Sequence, residues 1–312
     1  MSNNFQNGFV NSLTVRGIPL SQAYSGEVFY VGNSSVLAKG ARGGSDNNDG
    51  SRLSPFATID YAIGRCTASR GDIIAVLPGH AENVATAGAL ALDVAGVAIV
   101  GLGAGTLRPQ LALTAAAGSM IVSAANTAVI GLDFIATFAD VTNAISITAA
   151  GTGASIENCN FTESAADLNY LSVVTLTTLA HDLSFINCTF EMADVLAVSF
   201  ITGVVHDRLH IEDCRFNLQT AQTSSVALIV GTDVTSGLIK NCSFTNPKDG
   251  ALFIGFSGTC TGIMRDCTFS SLDTAGAISD GFVNSGFLAM NCWVSGEANA
   301  WGILGGGNAI YS

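Results

Sequence analysis

The sequence predicts an all-β solenoid: a single-stranded parallel β-helix with a short capping helix near its N-terminus. Three observations carry the prediction. A hexapeptide keeps returning, as Ile156-Glu157-Asn158-Cys159-Asn160-Phe161, Phe185-Ile186-Asn187-Cys188-Thr189-Phe190 and Ile211-Glu212-Asp213-Cys214-Arg215-Phe216. Ile239-Lys240-Asn241-Cys242-Ser243-Phe244, Met264-Arg265-Asp266-Cys267-Thr268-Phe269 and a worn Ala289-Met290-Asn291-Cys292-Trp293-Val294 complete the series. The six cysteines are 29, 26, 28, 25 and 25 residues apart, a period that marks stacked repeats. Within each copy apolar and polar residues alternate, the period of a strand with one buried face.

Each position of the unit has a physical job. Asn or Asp tolerates the left-handed backbone of a sharp bend. Stacked Asn side chains form a hydrogen-bonded ladder. Cys is a small hydrophobe suited to a narrow interior, and Phe fills the next inward position. Apolar runs such as Leu196-Ala197-Val198-Ser199-Phe200 and Val226-Ala227-Leu228-Ile229-Val230 lie between copies and add further strands. One coil therefore holds about three short strands and three turns.

Taken in order, Met1 to about Ser25 is polar and turn-rich. It reads either as a frayed terminus or as an arm that reaches a neighbour. Residues 26–93 form the N-terminal strands and capping helix. Glu27-Val28-Phe29-Tyr30-Val31 is a strand, and Gly43 to Ser51 a polar loop. Ser54 is the expected N-cap, with Pro55 at the first helical position and Phe56, Ile59, Ile63 and Cys66 at helical spacing. Gly71-Asp72 then turns the chain into Ile73-Ile74-Ala75-Val76-Leu77. The helix is expected to cover the open first coil. The coils run over 94–294. Leu132 and Leu102, 27 and then 30 residues upstream of Cys159, extend the ladder without cysteine. Roughly eight coils follow, a prism of about 40 Å at about 4.8 Å per coil. The tail, 295–312, contains Trp301-Gly302-Ile303-Leu304-Gly305-Gly306-Gly307 and suits a C-terminal cap or a subunit contact.

This pattern resembles the right-handed parallel β-helix, pectate-lyase-like superfamily of pectate lyases and phage tailspikes, from about Val28 onward. The Gly-Ser-Asp loop, the Pro-Phe-Ala-Thr-Ile segment and the Gly-Asp strand resemble the N-terminal end of many β-helix proteins. The N-terminal half is also similar to phage virion structural proteins. The resemblance implies the right-handed fold and leaves activity open, because that fold hosts many functions.

Composition narrows the choice. At 312 residues, one unbroken repeat argues for one elongated domain. Hydrophobic residues make up 48% and charged ones only 12%, so much surface must be hidden in a long core or against other subunits. The five prolines are few, as a continuous parallel sheet requires. Net charge is −12, with Lys39, Lys240 and Lys248 the only lysines, which disfavours nucleic acid and anionic polysaccharide. Met1-Ser2-Asn3-Asn4 opens no secretory signal, and no apolar run is long enough to span a bilayer. Stacked cysteines about 4.8 Å apart sit too far apart for disulfides. Asn187-Cys188-Thr189 and Asn241-Cys242-Ser243 lie inside the ladder, where a glycan has no room. Together these indicate assembly in a reducing cytoplasm.

No candidate site reads as catalytic, cofactor-binding or metal-binding. Gly101-Leu102-Gly103-Ala104-Gly105 misses the dinucleotide spacing at Thr106 and reads as a turn. Asp46, Asn48 and Asp49 offer oxygens to a cation, yet Ser51 and Ala57 break the EF-hand pattern, leaving a solvated turn. His80, His181, His206 and His210 read as surface or turn residues. His80 and Glu82 share a face, whereas His181-Asp182 and His206-Asp207 face opposite ways. Asp140, Asp182, Asp207 and Asp233 are coil-corner carboxylates, and paired acids are what β-helix glycosidases use. No Asp-Asp pair occurs, and the Asn-Thr-Asp, His-Gly and Arg-Ile-Lys motifs of polygalacturonase-like hydrolases are absent. Asp213 and Asp266 replace ladder Asn and read as structural.

The expected function is that of a non-enzymatic bacteriophage virion structural protein. It is read as a capsid decoration (cement) subunit that binds the major capsid protein of the head shell. The alternative is a tailspike-like polysaccharide lyase or glycoside hydrolase, which would want a long groove rich in aromatics; only Trp293, Trp301 and five Tyr occur. By resemblance to phage spikes and decoration proteins a homotrimer is expected. Neither nucleic acid nor membrane is an expected partner, and the virion, assembled in the host cytoplasm, is the expected location.

Overall fold

The computed structural model describes residues 14–15, 18–19, 26–33, 40–165, 167–193, 199–219, 227–247, 253–271, 282–283, 286–297 and 300–309. Among them the chain winds as an all-β parallel solenoid of about seven turns with three faces. The first face starts at Val28–Val31 and Ile73–Val76 and climbs through Ser155–Glu157, Ser184–Ile186 and His210–Glu212 to Thr261–Arg265. The second runs from Ala81–Val84 through Asn160–Glu163 and Arg215–Leu218 to Thr268–Ser271. The third is an eight-stranded sheet from Ala87–Leu92 to Phe282–Val283. The last long strand, Gly286–Glu297, closes both the first and second faces, and Ala300–Ala309 folds back antiparallel upon it.

The hexapeptide is the corner between the first and second faces. Asn158, Asn187, Asp213, Asn241, Asp266 and Asn291 all sit in the left-handed region, with φ between 50° and 56°. A short polar side chain relieves the penalty other residues meet there. Gly131 takes the same place upstream at φ 73°. The expected ladder forms: Asn187 Nδ2 donates to Asn158 Oδ1 at 3.3 Å, and Asn291 Nδ2 to Asp266 Oδ1 at 2.7 Å. Across the bend Cys159, Cys188, Cys214, Cys242, Cys267 and Cys292 point inward, buried and free. Each thiol reaches a carbonyl of the preceding coil, as Cys188 Sγ does with Ile156 O at 3.3 Å.

Two residues further along each coil, Phe134, Phe161, Phe190, Phe216, Phe244 and Phe269 stack at centroid separations of 5.1, 4.7, 4.7, 4.8 and 4.8 Å. These are nearly parallel rings, spaced by the strand-to-strand distance. Each buried ring contributes about 2–3 kcal/mol of burial, before any benefit from stacking. Connections from the second to the third face are the longest repeated ones, 6, 10, 7 and 10 residues after Met192, Leu218, Asn246 and Ser271. None of them has the length for a lateral domain.

Three expectations need correction. Leu102 is 39% exposed rather than inward. The chain leaves the prism at this corner through a 3-10 turn at Gly105–Leu107 before Gln110–Leu113, so the tight two-residue bend is not used. The helix is shorter than predicted, Ile59–Ile63, and its N-cap is Thr58, whose hydroxyl accepts from Tyr61 N at 3.3 Å. Phe56 is held extended against Val31, with its N–H on Tyr30 O at 2.8 Å, and Asp46 takes the N–H groups of Ala57 and Thr58. Finally, His80 and His206 are buried, not surface residues.

Candidate functional site

The corner between the third and first faces gathers most of the polar residues singled out above. Its outer bend is built from stacked left-handed residues, Gly153, Asp182, Arg208 and Ser236. Backbone bonds fix their register: Asp182 N donates to Asp207 O at 3.0 Å and Arg208 N to Thr235 O at 2.9 Å. Arg208 and Ser236 lack the Cβ-free or Asx chemistry that eases this conformation, so other contacts must hold them.

For Arg208 those contacts are ionic. Its guanidinium grips Asp182 through Nε and, at 2.8 Å, through Nη2, while Nη1 pairs with Asp207. Asp207 also accepts from Thr235 Oγ1 at 3.0 Å, and its N–H donates to His181 Nδ1 at 3.0 Å. The hydrogen-bonded guanidinium of Arg208 holds the Asp182 carboxyl below the usual carboxylate range. Beside it lies a shallow groove lined by Asp182, Ser184, Arg208, His210, Ser236 and Leu238.

At the groove margin His210 Nε2 meets Glu212 Oε2 at 2.9 Å, and Lys240 pairs with the other oxygen. The Lys240 ammonium, more than His210, keeps Glu212 ionised. Ser184 lies directly across the strand pair from His210. Among the described residues no hydrogen bond joins the two side chains. Sequence reasoning missed Glu212 and Lys240 because they sit inside the structural repeat. Their only signal is alternation, which turns the residue before each ladder Asn outward.

The remaining candidates lie apart. His80 Nε2 meets Glu82 Oε2 at 3.1 Å, and the same oxygen accepts from Ile59 N at 3.0 Å, so this pair braces the start of the helix. The Asp46 carboxylate faces backbone amides and Thr58 Oγ1, while Asn48 Nδ2 donates to the carbonyls of Gly43 and Pro55. Loop closure accounts for both side chains. Asp233 Oδ1 accepts from Thr259 N at 2.6 Å and fixes a bend. Asp140 is itself left-handed, at φ 54°. The glycine-rich segment is a turn: a side chain at Gly101 would meet Gly131 O at 2.2 Å, so glycine there serves coil-to-coil approach.

One carboxylate that went unnoticed stands out on the second face. Asp133 is flanked by Arg108 at 3.4 Å and Asn160 at 2.9 Å, yet burial pushes its carboxyl above the usual value. It directly precedes Phe134, so in sequence it reads as one more repeat position.

No protein-family model matches the chain, and no curated protein matches it. Among solved structures, a rhamnogalacturonan lyase aligns with a TM-score of 0.59 and 13% identity over 86% of this chain and 74% of that one. The pectin methylesterase PemA from Erwinia chrysanthemi aligns with a TM-score of 0.46 and 14% identity, over 89% and 91%. The protein ORF18 of Geobacillus virus E2 gives 0.47 and 13%, over 88% and 63%. At such identities the likeness to the lyase is one of architecture: the chain has the right-handed parallel β-helix fold.

Proposed function

We propose that this chain is a bacteriophage virion structural protein, a decoration subunit that binds the head shell and stabilises it without catalysis. The observation that carries the structural reading is that the corner charges join one coil to the next. Arg208 ties the coil of Asp182 to its own, and Lys240 ties its coil to that of Glu212. Glycoside cleavage by paired acids needs two carboxyls whose protonation is driven apart. Asp182 and Glu212 are instead both held ionised by neighbouring cations. Charge used this way stiffens a rod. The phage setting and the shell partner rest on the resemblance of the N-terminal half to phage structural proteins, and the trimer on the resemblance to phage spikes and decoration proteins. The helix Ile59–Ile63 would close the N-terminal end.

A second reading, a polysaccharide-degrading enzyme, is favoured by Asp133, whose raised carboxyl beside Arg108 suits a general acid. Quantitative mass spectrometry of purified particles, with host polysaccharide incubated beside the purified protein, separates the two. Copy numbers close to that of the shell protein and no new sugar ends are expected. A few copies per particle, with cleavage lost in Asp133→Asn, would overturn decoration in favour of the enzyme.

A further inference from the structure

We infer that the third face is the side each copy of this chain turns toward its neighbours in the homo-oligomer. The inference rests on the self-association proposed above and adds the surface that performs it. The outward positions along this face include Ile121, Ser146, Thr175, Thr202, Val230 and Gly255, alternating with buried partners on each strand. From Ala87–Leu92 to Phe282–Val283 these strands hold no Lys, Arg or Glu. Their only aspartates, Asp207 and Asp233, lie toward the far ends of Ser199–Asp207 and Ile229–Thr235. The other faces differ. First-face strands carry Glu157, Glu212, Lys240 and Arg265, and second-face strands carry Glu82, Asp133, Glu163, Glu191 and Arg215.

Charge then selects the occupant. Each copy has a net charge of −12, so two copies approach against mutual repulsion. A basic foreign partner would be drawn to the acidic residues of the other faces. Away from Asp207 and Asp233 at the strand ends, a second copy meets no like charge among the described strand residues of the third face, and no ion there has to be stripped of water. Ser, Thr and Gly allow close approach, while Ile121, Val230 and the 46%-exposed Val204 supply apolar area. Eight strands about 4.8 Å apart and roughly 13 Å wide give a footprint of about 450 Å² per copy, so three such faces turned toward a common axis bury about 1,350 Å² in all, the scale of one standard specific contact.

The test introduces charge without touching the core. Thr175→Arg and Val230→Glu, made separately in the full chain, place opposite signs on the face. Arg265→Glu, at an exposed first-face position, is the control. Mass is read by sedimentation velocity, with melting curves to confirm folding. Wild type and Arg265→Glu should be oligomers, while both third-face variants fall toward monomers with association at least tenfold weaker. A monomeric wild type would remove the self-association itself. Oligomers that survive both third-face charges would keep self-association but assign it elsewhere. Should either variant misfold, a single Thr202→Cys keeps the question answerable: rapid oxidative cross-linking between copies supports the contact, and a thiol left unlinked within intact oligomers overturns it.

Discussion

Cys214 shows what the interior asks of a single residue. Its thiol is buried between coils and reaches Phe185 O at 3.4 Å. Cys214→Asp places an unpaired carboxylate in that column and should cost several kcal/mol or prevent folding. The same burial pushes the stacked Cys159 thiol well above the ordinary thiol range, which suppresses thiolate chemistry. A polar thiol reagent should therefore label the stack only on the timescale of unfolding. Rapid labelling of native protein would show that the column is open to water. His206 asks the opposite question, about proton uptake. Val205, left-handed at φ 56°, turns the ring inward, where Nδ1 meets Ala180 O at 2.8 Å and Nε2 has no hydrogen-bond partner. A side chain on Gly203 would come within 2.1 Å of Nε2, so glycine makes room for the ring. Burial, with a smaller contribution from His181, lowers the His206 pKa below the ordinary value of 6.5. The unfolded chain thus takes up the proton first as pH falls. Stability is full above about 6.5 and then declines by up to about 1.4 kcal/mol per pH unit until the folded value is reached. His206→Gln should flatten this decline between pH 7 and pH 5 in melting experiments. Equal declines in both proteins would place the titrating group elsewhere.

At the scale of elements, the helix Ile59–Ile63 packs against Val28–Val31, Ile73–Val76 and Ala87–Leu92, the first strands of the first and third faces. Ile59, Ala62 and Ile63 are its buried residues. Deleting residues 54–66 should uncover those strand edges and promote association end to end, seen as increased light scattering at unchanged concentration. Unchanged scattering and melting would deny the helix a closing role. The elements were legible in the sequence to unequal degrees. The corner of Asn158, Cys159 and Phe161 was readable because three separate constraints fall on fixed positions: left-handed backbone, narrow interior, ring stacking. The helix boundary was misread because Pro55 and Phe56 have helical credentials, yet Phe56 is claimed by the first coil. The polar corner at Arg208 was read only in part. Asp182 and Asp207 were visible as candidates, but their bond to one guanidinium depends on coil-to-coil register, and spacings that vary between 25 and 29 residues blur register.

For the whole molecule, the distribution of charge makes a prediction independent of any substitution. Carboxylates outnumber cations 24 to 12, and the described strands place charge on the first and second faces rather than along the third. If copies meet through the uncharged face, long-range repulsion is the main electrostatic effect and it opposes association. Salt shortens the reach of that repulsion from about 30 Å at 0.01 M to about 10 Å at 0.1 M. Raising ionic strength over this range should therefore strengthen assembly, and sedimentation velocity at one protein concentration should show the oligomer fraction growing. An interface built on ion pairs such as Lys240–Glu212 reaching across copies would behave in the opposite way, because screening weakens attraction between exposed opposite charges. A fall in oligomer fraction with added salt would thus move the contact to the first or second face, where those ions lie.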